Sequence, residues 1–416
     1  MSDFSRRNFL RTTAAAGLAL PIAGRPEILS GAPHSGPDRP ATPSDDPLGI
    51  RDEFPVTREL AYLNTASLGP SSRPAHDAMV AYAEEKMMYR DPGSRPETRA
   101  RARASFARLF GADEDEIAFL FSTSDAENII TDAINWRPGD NVVVDELHFT
   151  TTFVLYREIE RRLGVELRVV PVSEGRTTVD DFAARTDVRT RLISVAWVSN
   201  RNGYRHTLPD LAEVAHAHGG YLYADAIQAF GNSATDLHEE GVDFACGNGY
   251  KWLFADFGCA PFYVRREHLD WLEPDRFGHR QVAESLPDHR FRLRENAQKY
   301  EHSNPSFGAV AAMDAALTLI EGVGLARIED HTVKLAGELR SELVDLGFDL
   351  FTPPRNPSPI VSFYHELDPD ALYEGLREEG VPITFQEQGR LVRTAVAMFN
   401  TRDDIDRLLG VLSGLV

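Results

Sequence analysis

The sequence predicts an α/β protein with a mostly parallel sheet covered by helices, and three observations predict it. Short apolar runs alternate with helix-like stretches from Ile117 onward. A chain of 416 residues with 42% hydrophobic content can bury a large core and divide into two domains. After Pro305 the rhythm changes to longer helical segments, which reads as a smaller C-terminal domain completed by the N-terminal arm.

In chain order, the strand candidates are residues 117–121, 141–144, 166–170, 192–198 and 221–224, each a short apolar or β-branched run. Helix-like segments 126–135, 153–163 and 208–217 lie between them. Beyond Pro305 the expected helices are 309–320 and 333–346, followed by strands near 360–363 and 391–396. No internal repeat interrupts this order.

The first thirty residues read as an address. Ser5-Arg6-Arg7-Asn8-Phe9-Leu10 carries twin arginines, and the run 12–23 is small and apolar with no acidic residue. That run is too short to span a bilayer, so it reads as a signal peptide of the Tat route, with the mature protein periplasmic or extracellular. Residues 31–49, rich in Pro, Ser, Gly and Asp, read as a flexible linker. The expected division is therefore 1–30 signal, 31–49 linker, 50–305 arm and large domain, and 306–416 small domain.

A formal net charge of −20 argues against nucleic acid or an anionic membrane as partner, because both repel it. Cys246 and Cys259 are the only cysteines, too few for a disulfide framework or a four-cysteine zinc site, and no metal is expected. The pair reads as core packing, with a disulfide between them the alternative. Only Lys86, Lys251, Lys299 and Lys334 offer an amine.

The chemical signal is Asp225, closing the apolar run Tyr221-Leu222-Tyr223-Ala224, followed by Lys251 within Asn248-Gly249-Tyr250-Lys251-Trp252. An acid at the end of a buried strand is costly unless paired. Alone, Asp225 also fits a cap or turn, and Lys251 a surface site. Ser122-Thr123-Ser124-Asp125 follows a strand and opens a helix, where free backbone N–H groups suit a phosphate, although Ser and Thr are ordinary caps there.

In this order and at this spacing, the chain resembles the aminotransferase class V family of fold-type I pyridoxal-phosphate (PLP) enzymes, which includes cysteine desulfurases, kynureninases and isopenicillin N epimerases. The resemblance runs from about Tyr62 to Leu412. It implies a seven-stranded large-domain sheet, a homodimer with the active site at the subunit interface, and Lys251 holding PLP as a Schiff base while Asp225 keeps the pyridine nitrogen protonated. It further implies that Thr123, Ser124, Asn248 and Tyr250 hold the phosphate, that His148 stacks on the ring and shuttles protons, and that Asn200 and Gln228 contact the phenolic oxygen. Ser303 stands where members lend a residue to the neighbouring subunit's phosphate. Arg393, in Arg393-Thr394-Ala395, matches the clamp for a substrate α-carboxylate, and Asn64 matches a segment closing the same pocket.

The implied activity is that of a transferase or lyase working on an amino acid or derived amine through an external aldimine. Transamination or side-chain cleavage is expected first, with epimerisation or decarboxylation as alternatives; a non-catalytic PLP-fold binding protein is the reading of a different class. Because no cysteine follows Cys259, thiol-based desulfuration is not expected.

Overall fold

The computed structural model describes residues 46–90 and 95–416. The twin-arginine segment and the linker up to residue 45 lie outside the described residues. Seven strands build the main sheet: β1 (Ile117–Leu120), β2 (Asn141–Asp145), β3 (Glu166–Val170), β4 (Thr190–Ala196), β5 (Tyr221–Asp225), β6 (Phe244–Cys246) and β7 (Ala260–Val264). Their spatial order is β1-β7-β6-β5-β4-β2-β3. β7 runs antiparallel to both β1 and β6, while the remaining neighbours pair in parallel.

Burial explains why these segments are strands. Every residue of β1, β2, β6 and β7 is buried, as a sheet covered on both faces requires, so they read as unbroken apolar runs rather than alternating ones. Helices such as Thr123–Ala133, Thr150–Leu163 and Leu208–His216 fill the crossovers. Because β1, β2, β4, β5 and β6 point the same way, their carboxyl ends converge on one edge of the sheet, where open α/β folds place ligands. The loop entering β7 reaches that edge from the opposite direction.

A hairpin of β8 (Val282–Leu286) and β9 (Arg290–Leu293) follows, then helices Phe307–Val323 and Leu325–Asp345. The C-terminal region holds a second, antiparallel sheet of β10 (Asp349–Leu350), β11 (Ile360–Tyr364), β12 (Thr384–Gln386) and β13 (Leu391–Ala395), ordered β10-β11-β13-β12. It packs its own apolar cluster, including Leu339, Phe363, Val392 and Leu408. The N-terminal arm is stitched to it: Ala61 donates to the Gly380 carbonyl at 3.0 Å, Ala395 donates to that of Leu63 at 2.8 Å, and Asn64 bridges Ala395.

Candidate active site

The carboxyl ends of the strands enclose a cleft of about 250 Å³, lined among others by Thr123, Ser124, Asn200, Asp225, Gln228, Asn248, Tyr250 and Lys251. Each side chain reaches it for a local reason. Ser122 caps helix Thr123–Ala133: its Oγ accepts from the Asp125 amide while Asp125 Oδ2 accepts from the Ser122 amide at 2.9 Å. With the cap satisfied this way, the first-turn amides of Thr123 and Ser124 have no helical acceptor and the helix dipole favours an anion beside them.

Asp225 ends β5 and is buried, its Oδ1 accepting from the Ile227 amide at 3.0 Å. Burial pushes its carboxyl up to about 6, against the pull of the Ile227 amide and the Lys251 charge. Lys251 is equally enclosed. Burial, joined by the Arg393 charge and opposed by Asp225, pulls its amine down to about 7, which favours its neutral form.

The lysine loop is held from two sides. The Gly69 amide donates to the Tyr250 carbonyl at 2.8 Å, and a Cβ at Gly69 would lie 1.9 Å from the Lys251 carbonyl oxygen, so the arm approaches closer than any side chain permits. Gln228 joins the same parts, donating to the Ala66 carbonyl at 3.0 Å and accepting from Trp252 Nε1 at 2.7 Å. Tyr250 stacks on Phe257 with centroids 4.1 Å apart.

Arg393 enters from β13, where Thr384 is its cross-strand partner. Its guanidinium donates to the Asn200 carbonyl at 2.7 Å, to Thr384 Oγ1 at 3.1 Å and to Ser67 Oγ. Among the described residues no carboxylate lies within ion-pair distance of it, and burial draws it down to about 10. Asn64 stands behind this group, accepting from Thr384 Oγ1 at 2.6 Å, rather than on the cleft wall.

One expected position is corrected. His148 does not face the cleft; its neighbour Phe149 does. His148 is tucked beneath, its Nδ1 accepting from the Phe149 amide at 2.8 Å and its Nε2 3.1 Å from Ser194 Oγ, and burial drives the imidazole down to about 4. The path of the chain after β2 aims the Phe149 ring at the cleft and leaves His148 held from below by Ser194 and the Phe149 amide. Ser303, expected to serve a neighbouring subunit rather than this cleft, lies in a second, adjoining cavity with Arg99, Arg276 and Asn304, sharing only Phe121 and Gly258 with the first.

Sequence reasoning missed Glu127, Phe149, Thr152, Tyr223 and Phe257, all on the cleft wall. Glu127 had a readable signal, an acid on the apolar face of its helix between Ala126 and Ile129–Ile130. Cys246 and Cys259 are both buried and unpaired.

The chain belongs to the Aminotransferase class-V family, whose pattern it matches over residues 96–408. It is 28% identical over 388 residues to a probable cysteine desulfurase of Methanothermobacter thermautotrophicus, covering 87% of this chain and 96% of the relative. To a cysteine desulfurase of Salmonella gallinarum it is 24% identical over 400 residues, covering 88% and 97%. Its fold superposes on the cystine C–S lyase C-DES in complex with its product cysteine persulfide, with TM-score 0.80, 19% identity, and 87% and 99% of the chains covered.

The protein is thus a PLP-dependent enzyme of this family. The residues fit that cofactor: the buried Asn200 Oδ1, Asn248 Oδ1 and Arg393 Nε lack a hydrogen-bond partner among the described residues, beside a phosphate-ready helix N-terminus and a buried Asp225 and Lys251 that line the same cleft. The expectation that set thiol-based desulfuration aside is overturned, because relatives matching nearly the whole chain carry that name. Its ground was the position of cysteines along the sequence, whereas labilising a substrate at Cα depends on the lysine, acid and arginine set.

Proposed function

We propose that this enzyme cleaves the carbon–sulfur bond of cysteine or of its disulfide, cystine. One observation carries the reading: Arg393 is buried without an acid partner beside a buried amine and a buried carboxyl, a setting that calls for a ligand carrying a carboxylate. The names of the relatives, cysteine desulfurase and cystine C–S lyase, support sulfur amino acids as the class. PLP bound here supplies the electron sink that weakens bonds at the substrate's α-carbon.

The chain supplies the rest. Thr123, Ser124, Asn248 and Tyr250 would anchor the phosphate, and Asp225 would hold a proton on the ring nitrogen. Phe149, on the cleft wall, would offer an apolar surface to the ring. Arg393 fixes the α-carboxylate, which leaves the side-chain sulfur to be directed by the cleft wall. Lys251 Nζ, whose amine burial draws toward its neutral form, would hold the cofactor and could accept a proton from the substrate's α-carbon. The test is to incubate the purified holoenzyme with L-cysteine and with L-cystine, with and without added thiol reductant, and to follow sulfide, persulfide and the carbon product by mass spectrometry. Sulfur release from at least one of them is the expected result; amino-group exchange without any sulfur release overturns the reading.

We further propose a homodimer in which Ser303 serves the neighbouring subunit's site. Phe121, Phe257 and Phe277 are exposed, the first two lining the cofactor cleft, which supports a covering partner. Light scattering that gives the mass of one chain would refute it. The twin-arginine segment supports Tat export, checked by locating the protein in cells with Arg6 and Arg7 intact and with both changed to Lys.

A further inference from the structure

Asp225 is not the only buried acid on the cleft wall. Glu127 is 4% exposed and lines the same cleft. Ser194 Oγ lies 2.9 Å from its Oε1, and Thr152 Oγ1 lies 3.2 Å from Oε1 and 3.1 Å from Oε2. One bond sets the direction of this network. The Phe149 amide can only donate, so His148 Nδ1 is the acceptor and the ring proton sits on Nε2. Nε2 then donates to Ser194 Oγ, whose own hydrogen is left for Glu127.

Among the described residues, the surroundings of Glu127 carry no compensating cation. Asp225 and Tyr223 face it from β5, Tyr156 from helix Thr150–Leu163, and Cys246 from β6, with His148 reached through both Ser194 and Thr152, whose Oγ1 lies 3.1 Å from His148 Nδ1. Among the described residues no basic side chain lies within ion-pair distance of it. Burial first, then the Asp225 charge, push Glu127 up to about 7, and His148 is too strongly neutralised by burial to help. Two buried carboxyls lining one cleft cannot both ionise cheaply, which favours a proton kept on Glu127.

We propose that Glu127 is a positioning residue that keeps this proton, so that Asp225 alone carries the negative charge facing the cofactor's ring nitrogen. Ser194 and His148 hold the Glu127 carboxyl in place for that task. Opening the pair by ionising Glu127 puts a second negative charge beside the pyridinium and alters the charge balance that Asp225 sets. The proposal rests on PLP occupying this cleft.

Two readouts separate the proposal from that reading. In cofactor-free protein, infrared difference spectroscopy of wild type is expected to show a protonated-carboxyl band that titrates near pH 7 and is missing in Glu127→Gln. Ser194→Ala removes a donor to the carboxylate, so the midpoint should rise by about half a unit or more. In holoenzyme, the absorption of bound PLP is expected to change near the same pH in wild type and to stay flat in Glu127→Gln, with PLP affinity kept within about threefold. A band unaltered by Glu127→Gln, or an unmoved midpoint in Ser194→Ala, overturns the proposal even if PLP binds as described. An intact cofactor-free titration with PLP attached elsewhere overturns only the cofactor reading.

Discussion

Lys251, Asp225 and Arg393 each bury a group that water would otherwise keep charged, and each is tuned by that loss. For Lys251 the sign is definite: a lysine held below its ordinary value favours the folded state when neutral, so this contribution is present at high pH and fades as pH falls through about 7. Cofactor capture needs the same neutral amine. The rate of PLP uptake by cofactor-free enzyme should therefore rise between pH 6 and 8 and level off, measured by stopped-flow absorbance; a midpoint above pH 9 would contradict the burial argument. Asp225→Asn should keep the phosphate contacts and much of the PLP affinity but lower turnover by about 100-fold or more, because a neutral amide cannot hold the ring proton. Near wild-type turnover would remove the role. Arg393→Ala should weaken amino-acid binding by about 2 to 5 kcal/mol while leaving the decarboxylated amine unaffected, with Arg393→Lys milder because it keeps charge but loses the fork. Spectral titration of all three proteins decides it, and equal affinities would take the α-carboxylate out of the substrate description.

Elements matter here through what they bring to one edge. Five strand ends converge because their strands run parallel, and the loop before β7 joins them only because β7 is reversed. Most of this was legible. The runs at 117–121 and 221–224 became β1 and β5 because strands buried along nearly their whole length leave unbroken apolar stretches, whereas 166–170 became the edge strand β3, which buries Leu167 and Val170. β6 is only three residues long and β12 likewise, too short for any period to register, and so neither was specified. Helix Arg73–Met87 escaped because only Ala75 of it is buried, leaving no apolar stripe to read. Side-chain direction at a turn is the other blind spot: His148 and Phe149 are adjacent in sequence, and only the path after β2 decides which faces the cleft. The close approach of the arm to the lysine loop yields a test at this scale. Gly69→Ala should displace the Lys251 backbone, destabilising the protein by about 1 to 3 kcal/mol and weakening PLP binding, as read from thermal melts and fluorescence titration. Unchanged melting and affinity would show that the loop has room.

Across the whole molecule, the site is a joint product of both sheets. The seven-stranded sheet supplies the acid, the lysine and the phosphate cradle, while the antiparallel sheet supplies Arg393, and the arm locks the two through Asn64, Ala66 and Gly69. That assembly depends on Lys251 being the amine that meets the cofactor. The other three have different settings: Lys86 and Lys334 are exposed on helices, and Lys299 is buried with its Nζ donating to the Leu269 carbonyl away from the cleft. The most direct measurement is borohydride reduction of the holoenzyme followed by peptide mapping. The structure predicts a pyridoxyl group on Lys251 alone; a label on Lys86, Lys299 or Lys334 would contradict the site.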